Sequence, residues 1–274
     1  MHEILENLPP GARVLDLGCR DGSFSTGGYR FLIVRADLVR PKSNTVPFVQ
    51  ADAVRLPFPS RTFDAVILNH SVEHFVQLKP ALQEIGRVIK GEGSAFVSVP
   101  DGSTLTDRLY RKVCRNRGGH VNLFDSAREL EDMLSWYFGL QHVATRILFS
   151  SFSFLNRKNT ADPMVRRQMR FAGLWEPVLA RAVYASKVWD RWFGTRTSVY
   201  GWAFYFGRIG APVDTQPLAN VCIRCGQAHP AHALEQAGRV RKKLLTRWYR
   251  CPDCGAWDRF VADSAPEPRT RSNS

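Results

Sequence analysis

Five short apolar runs punctuate the first hundred residues, each closing on a polar or turn-forming group. Val14-Leu15-Asp16-Leu17-Gly18 follows Pro9-Pro10-Gly11 and ends in a glycine turn. Phe31 to Val34 ends near Asp37, Pro47 to Asp52 comes next, then Phe63 to Leu68, and Ala95 to Val99 stops at Pro100. Runs of this length with little polar alternation read as strands of a parallel sheet buried on both faces. Residues 78–90 place Leu78, Leu82, Ile85, Val88 and Ile89 at the spacing of an amphipathic helix, with Gly91 and Gly93 expected to end it. Strands alternating with helices predict an open, mostly parallel α/β sheet. Ser126 is placed to cap a helix running through Phe138, with Glu129 three residues on as its capping-box partner. Residues 140–154 and Ser198 to Ile209 supply two more strands as a hairpin, bringing the sheet to seven.

The boundaries follow from the same pattern. Residues 1–211 read as one α/β domain of Rossmann-like type. It carries a basic loop over 104–119 and a helical insertion or lid over 156–198, which interleaves arginines with Phe171, Trp175, Trp189, Trp192 and Phe193. A proline-marked linker, 212–219, leads to a small cysteine-bearing module, 220–262, and then to a tail, 263–274, expected to be disordered. Charge sharpens this division. The 274 residues hold 38 Lys+Arg against 25 Asp+Glu, and 12 of the 13 surplus positive charges fall after residue 100. An anionic acceptor or partner is therefore favoured for the back half: a phosphorylated or lipid-linked glycan, RNA, or a peripheral membrane contact. Abundant aromatics exclude a largely disordered chain, and no apolar run is long enough to span a bilayer. With no secretory signal pattern at Met1 to Pro10, the expected location is cytoplasmic.

The first turn, Asp16 to Gly22, lies where open α/β sheets bind ligands, and its glycines let backbone approach a ligand closely. Asp37 follows Asp16 by 21 residues at the end of the next strand, where a carboxylate can accept both hydroxyls of a ribose. Asp52, after the third strand, is placed to meet an adenine amino group. With Ala36-Asp37-Leu38, Gln50-Ala51-Asp52-Ala53, Leu56-Pro57-Phe58, Phe63-Asp64-Ala65-Val66 and Ser71-Val72-Glu73-His74 in this order, residues 10–210 resemble the class I S-adenosylmethionine (SAM) methyltransferases. Within that class the likeness is to the broad small-molecule group related to ubiquinone-biosynthesis enzymes. The resemblance implies that Gly18 and Gly22 line the methionine moiety and Asp16 supports the turn and the amino group. It further implies that Asp37 with Leu38 meets the ribose side, Asp52 with Ala53 the adenine, and Asn69 the region of the sulfonium. Arg20 stands where the family usually has a third glycine.

Methyl transfer needs a positioned acceptor and, for a hydroxyl, a base. His120, in Gly118-Gly119-His120-Val121-Asn122, is the first choice of base, with His70 and His74 the other candidates. Glu73 reads as a solvated or capping carboxylate, with orientation of a histidine as the alternative. Asn69-His70-Ser71-Val72 lacks the Pro-Pro-aromatic signature of base-amine methylation, and no cysteine follows the fifth strand, so oxygen or a non-nucleobase amine is the expected acceptor. Cys19 reads as an inert thiol. Cys222-Ile223-Arg224-Cys225-Gly226 and Cys251-Pro252-Asp253-Cys254-Gly255 form two knuckles that would close four thiolates on one structural Zn²⁺, resembling a zinc ribbon. His229 and His232 read as surface residues. The expected function is SAM-dependent O-methylation of a small or carrier-linked acceptor of glycan or isoprenoid type. The alternatives are an RNA methyltransferase gripping RNA with the ribbon and insertion, and a non-catalytic ribbon adaptor on a degenerate fold.

Overall fold

The computed structural model describes residues 1–20, 22–24, 26–41, 46–104, 107–108, 120–149, 176–210, 218–244 and 246–262. Most of the 104–119 loop, the insertion up to residue 175, the linker residues 211–217 and the tail from 263 lie outside them, as does Cys114.

Seven strands form one sheet: β1 (Arg13–Leu17), β2 (Leu32–Asp37), β3 (Phe48–Gln50), β4 (Phe63–Asn69), β5 (Ile89–Pro100), β6 (His142–Phe149) and β7 (Val199–Gly207). Their spatial order is β3-β2-β1-β4-β5-β7-β6. The β1/β2, β1/β4, β2/β3 and β4/β5 ladders are parallel. Val14, Leu15, Ala65, Val66, Ile67 and Val97 are fully buried at the centre of the sheet. That explains the unbroken apolar runs: these strands have no water-facing side. The strand order reverses between β1 and β4, and open sheets of this kind present their ligand crevice there, beyond the carboxyl ends.

Helix α1 (His2–Asn7) precedes the sheet, α2 (Leu78–Val88) links β4 to β5, and α3 (Ala127–Phe138) packs beside α2. In α3 the Ser126 hydroxyl accepts from the Glu129 amide at 3.3 Å, and Gly139 ends the helix in the left-handed region at φ 62°. The α2 boundary differs from the sequence expectation. Val88 is its last residue, and Gly91 and Gly93 lie inside β5. Ile89 is drawn out of the helix into extended backbone because it pairs with Phe63 at the start of β4. A buried strand partner thus overrides the helical periodicity at this one residue.

The chain divides into two compact units. The first comprises residues 1–103, 115–146 and 202–215; the second comprises 104–114, 147–201 and 216–274. In the second, α4 (Glu176–Phe193) packs on β12 (Trp257–Arg259). The Arg259 guanidinium lies over the Tyr184 ring at 5.0 Å and over Trp248 at 5.3 Å. Lys187 of α4 is buried and donates to the Ala219 carbonyl, and burial pushes its ammonium down to about 8. Near the end of α4, Asp190 accepts from the Thr195 hydroxyl and the Thr197 and Ser198 amides, which lie beyond the helix, each at 2.6 Å. The cysteine module pairs β8 (Asn220–Val221) with β9 (Ala228–His229), adds α5 (Ala231–Gln236), and closes with β10 (Val240–Lys243), β11 (Thr246–Arg250) and β12 as an antiparallel sheet.

Candidate cofactor and acceptor site

The turn after β1 is built around a buried carboxylate. Asp16 is fully buried; its Oδ2 accepts from the Ser23 amide at 2.9 Å and lies 3.6 Å from Nε of Arg35. Its Oδ1 is also buried, with no hydrogen-bond partner among the described residues. Burial pushes this carboxyl above its ordinary range. An orphaned acceptor of this kind is costly unless a donor arrives, which fits the amino group of a bound amino-acid moiety. The Ser71 and Arg35 side chains packed against the turn leave room for nothing larger than hydrogen at its two glycines. A Cβ on Gly18 (φ 67°) would stand 2.5 Å from Ser71 Cβ, and one on Gly22 (φ 118°) only 2.0 Å from the Arg35 guanidinium. Arg20, in place of the third glycine, adopts φ 46°, so a non-glycine residue holds the left-handed turn. Its amide donates to Asp37 Oδ2 at 2.8 Å, which ties the turn to β2. Cys19 is buried and its thiol is pushed up to about 12 by that burial, which leaves it inert.

Asp37 ends β2 with both carboxylate oxygens engaged, Oδ2 by Arg20 and Oδ1 by the Val39 amide at 3.0 Å. Each oxygen keeps further lone-pair capacity for a hydroxyl donor. Leu38 and Val39 beside it are 62% and 68% exposed, an apolar shelf at the mouth of the sheet. Asp52 stands just beyond β3 with Oδ1 accepting from the Val54 amide, and Ala53 is buried next to it. Asn69, last in β4, accepts the Ser98 hydroxyl at 2.7 Å. All these residues lie at carboxyl ends of neighbouring strands, where the sequence reading placed them.

The three candidate histidines gather around Glu73. His70 leaves β4 at φ 54°, its amide donating to Ser98, and its Nδ1 lies 3.6 Å from Glu73 Oε1. Val72–His74 forms a 3₁₀ turn, and the return segment is bolted to it. The Val121 and Asn122 amides donate to the Glu73 carbonyl, while the Asn122 side chain donates to the Val72 and Phe75 carbonyls. This clasp sets the His120 ring 5.3 Å from the His74 ring. Glu73 is 1% exposed, which corrects its reading as a solvated carboxylate: the 3₁₀ turn points it inward beneath the histidines.

In the cysteine module the two knuckles repeat one geometry. Gly226 donates to the Cys222 carbonyl and Gly255 to that of Cys251, while the Cys222 and Cys251 amides reach Gln227 and Ala256. Cys222 Sγ lies 3.6 Å from Cys254 Sγ, and Cys225 Sγ lies 3.7 Å from Cys251 Sγ. All four sulfurs fall within 4.8 Å of one another. His229 is not a surface residue. It is half-buried with Nε2 3.6 Å from Cys251 Sγ and 3.2 Å from Asp253, because β9 folds it back over the knuckle. His232 is also partly covered, within α5.

Sequence reasoning missed Arg35, Ser71 and Asn122. Arg35 was visible as a lone charge inside an otherwise apolar parallel strand, a position that demands a buried partner. Ser71 and Asn122 carried no comparable mark.

Strand order, the glycine turn after β1 and the row of carboxylates at the strand ends define a Rossmann-like α/β protein. A family model described as "Methyltransferase domain" matches residues 1–145. The chain belongs to this family, the class I SAM-dependent methyltransferases, whose cofactor is SAM. It is 26% identical over 273 residues to sterol 24-C-methyltransferase ERG6B of Gibberella zeae, covering 90% of this chain and 67% of that one. It is 33% identical over 102 residues to demethylmenaquinone methyltransferase of Corynebacterium urealyticum, and 28% over 94 to tRNA (carboxymethyluridine(34)-5-O)-methyltransferase of Schizosaccharomyces pombe. The chain spans 43% and 41% of these last two. Among solved structures, the YcgJ protein of Bacillus subtilis aligns at 21% identity over 72% of this chain and 92% of that one, with a TM-score of 0.45. No helix among the described residues is long and apolar enough to cross a membrane.

Proposed function

We propose that the chain is a SAM-dependent O-methyltransferase acting on a small or carrier-linked acceptor of glycan or isoprenoid type. The observation that carries this reading is the histidine cluster around buried Glu73 at the carboxyl end of β4, beside Asn69. Bound SAM supplies an electrophilic methyl group on a sulfonium. The chain's own part is to hold the cofactor and prepare the acceptor. In this reading Asp16 Oδ1 takes the cofactor's ammonium, Gly18 and Gly22 admit its methionine moiety, and Arg20 keeps the turn in register with Asp37. Asp37 and Leu38 meet the ribose side, Asp52 and Ala53 the adenine, and Asn69 the sulfonium region. His120 removes the acceptor's proton, with Glu73 orienting the imidazoles and His70 and His74 shaping the mouth. The relatives named for sterol and demethylmenaquinone support an isoprenoid-type acceptor.

In the same reading the four cysteines hold a structural zinc ion. Zn–S bonds of about 2.3 Å in a tetrahedron give S···S edges of about 3.8 Å, close to the two closest pairs here and far beyond a disulfide bond of about 2.05 Å. Four thiolates leave no open position, so the ion shapes the module and does no chemistry. A reducing, cytoplasmic setting keeps them available.

Incubating the protein with methyl-labelled SAM and cell extract fractions (nucleic acid, lipid, glycan) tests the acceptor class. Label in a lipid or glycan fraction, as an oxygen-bound methyl lost in His120→Ala, is expected. Label only on carbon or on RNA overturns the reading. A second reading, RNA as acceptor, is favoured by one face of the cysteine module. Register puts Arg241, Trp248 and Arg259 in a single cross-strand row, with Arg250 paired to Trp257 beside it. Alternating cations and aromatics suit stacking on bases and contact with phosphates. Binding of RNA whose log affinity falls steeply with log salt supports it.

A further inference from the structure

We propose that Glu73, His74 and His120 form a binding site for a divalent transition-metal ion at the carboxyl end of β4. One carboxylate oxygen and one ring nitrogen from each histidine lie within 4.8 Å of one another. Coordination requires these donors to draw closer than that, by turning of the exposed His74 ring and the partly covered His120 ring toward Glu73. The independent observation is Glu73 itself. It is 1% exposed, and its Oε2 is buried with no hydrogen-bond partner among the described residues. A carboxylate left in that state is costly, and a cation at Oε2 removes the cost. Its other oxygen, Oε1, lies 3.6 Å from His70 Nδ1, an ion-pair separation rather than a hydrogen bond.

The site is also fixed by backbone rather than by side chains alone. The Val121 and Asn122 amides on the Glu73 carbonyl, with the Asn122 clasp on the 3₁₀ turn, hold His120 against Glu73-His74. Two imidazoles and one carboxylate suit Zn²⁺, Mn²⁺, Fe²⁺ or Co²⁺, whereas Mg²⁺ and Ca²⁺ prefer oxygen alone. Three protein donors leave positions open for an outside oxygen. This differs from the closed four-cysteine set, which takes its own ion. Binding of the ion does not depend on the methyl-transfer reading. The ion's use does rest on it: in that reading an oxygen of the acceptor fills an open position as a ligand to the ion. His120 acts as the base of the proposed reaction only while no ion is bound; with the ion in place it is a ligand, and His70 takes the acceptor's proton.

The full chain, loaded with a single equivalent of zinc so that the four cysteines are filled and the Glu73–His74–His120 set is left vacant, is titrated with Mn²⁺ and separately with Co²⁺. Binding is followed by electron paramagnetic resonance and by calorimetry. Thiolates select against Mn²⁺, so it reports the imidazole–carboxylate set. One further ion per chain is expected, with affinity at least tenfold weaker in Glu73→Gln and in His120→Ala, while SAM affinity stays within twofold. If either variant loses SAM binding, His74→Ala, at an exposed position, replaces it and must show the same loss of metal. Absence of any ion beyond zinc in the wild type, or affinity unchanged in all the variants that bind SAM, overturns the proposal. Methyl transfer to carbon or nitrogen with the ion still bound would count against the O-methyltransferase reading alone.

Discussion

Asp16 carries the sharpest expectation at the scale of one residue. Burial raises its carboxyl above the ordinary 3.8. Between these values the folded chain keeps a proton that the unfolded chain has lost, so stability without ligand falls as pH climbs through that window. A cofactor ammonium at Oδ1 favours the ionised form and reverses the effect. SAM affinity should therefore rise with pH across the same window and then level off, with proton release seen by calorimetry in buffers of different ionisation enthalpy. In Asp16→Asn this pH dependence flattens, and affinity falls by about tenfold or more, the worth of a charged hydrogen bond. Affinity that is flat with pH in the wild type would remove Asp16 from the cofactor's reach. Gly22→Ala tests the same turn by size. Its methyl meets the Arg35 guanidinium at 2.0 Å with φ at 118°, so it must displace the pair that holds Asp16. Loss of SAM binding with the first unit still folded is expected, read by calorimetry beside circular dichroism.

At the scale of elements, α3 is the part most fully specified by local chemistry. Its cap is one hydroxyl on one amide at 3.3 Å, so Ser126→Ala should cost about 1 kcal/mol in denaturant unfolding while leaving SAM affinity unchanged. No loss of stability would show that the helix is held by packing of Leu130, Leu134 and Phe138 alone. Such local signals made much of the sheet legible in advance. Apolar runs marked β1, β4 and β5 because strands buried on both faces have no alternation to confuse, while β2 and the partly buried edge strand β3 were marked by their short runs before Asp37 and Asp52; Asp16, Asp37 and Asn69 were placed by their distance from strand ends. What escaped was set by contacts remote in the chain. Ile89 joined β5 because Phe63 sits opposite it. Glu73 became buried because Val121 and Asn122 return to cover its turn. His229 was drawn inward by the pairing of β9 with β8. None of these partners lies within one helical turn or strand of the residue it moves. The histidines were found by type, but their gathering around one carboxylate was not readable from spacing.

The two compact units divide the labour of the whole molecule differently. Every cofactor residue proposed here, and the histidine cluster, belongs to the first unit, whose sheet has an extensive apolar core. The cysteine module in the second unit has a far smaller one: Cys222, Ala231, Leu234, Tyr249, Cys251, Ala256 and Phe260. Two of those seven are cysteines, and a cluster of this size cannot offset the chain entropy of ordering some forty residues. In the proposed reading the zinc ion supplies the difference, since binding energy at a site absent from the unfolded chain is folding energy. Stripping it with a strong chelator under reducing conditions should release one ion per four-cysteine set. Hydrogen-exchange protection should then fall across β8 to β12 and α5, including the buried Tyr249. Protection in β1 to β5, and SAM affinity, should persist. Cys222→Ser and Cys251→Ser, one from each knuckle, should reproduce the stripped state without chelator. Protection of β10 to β12 that survives metal removal would mean that packing between α4 and β12, through Arg259 and Tyr184, holds the module instead.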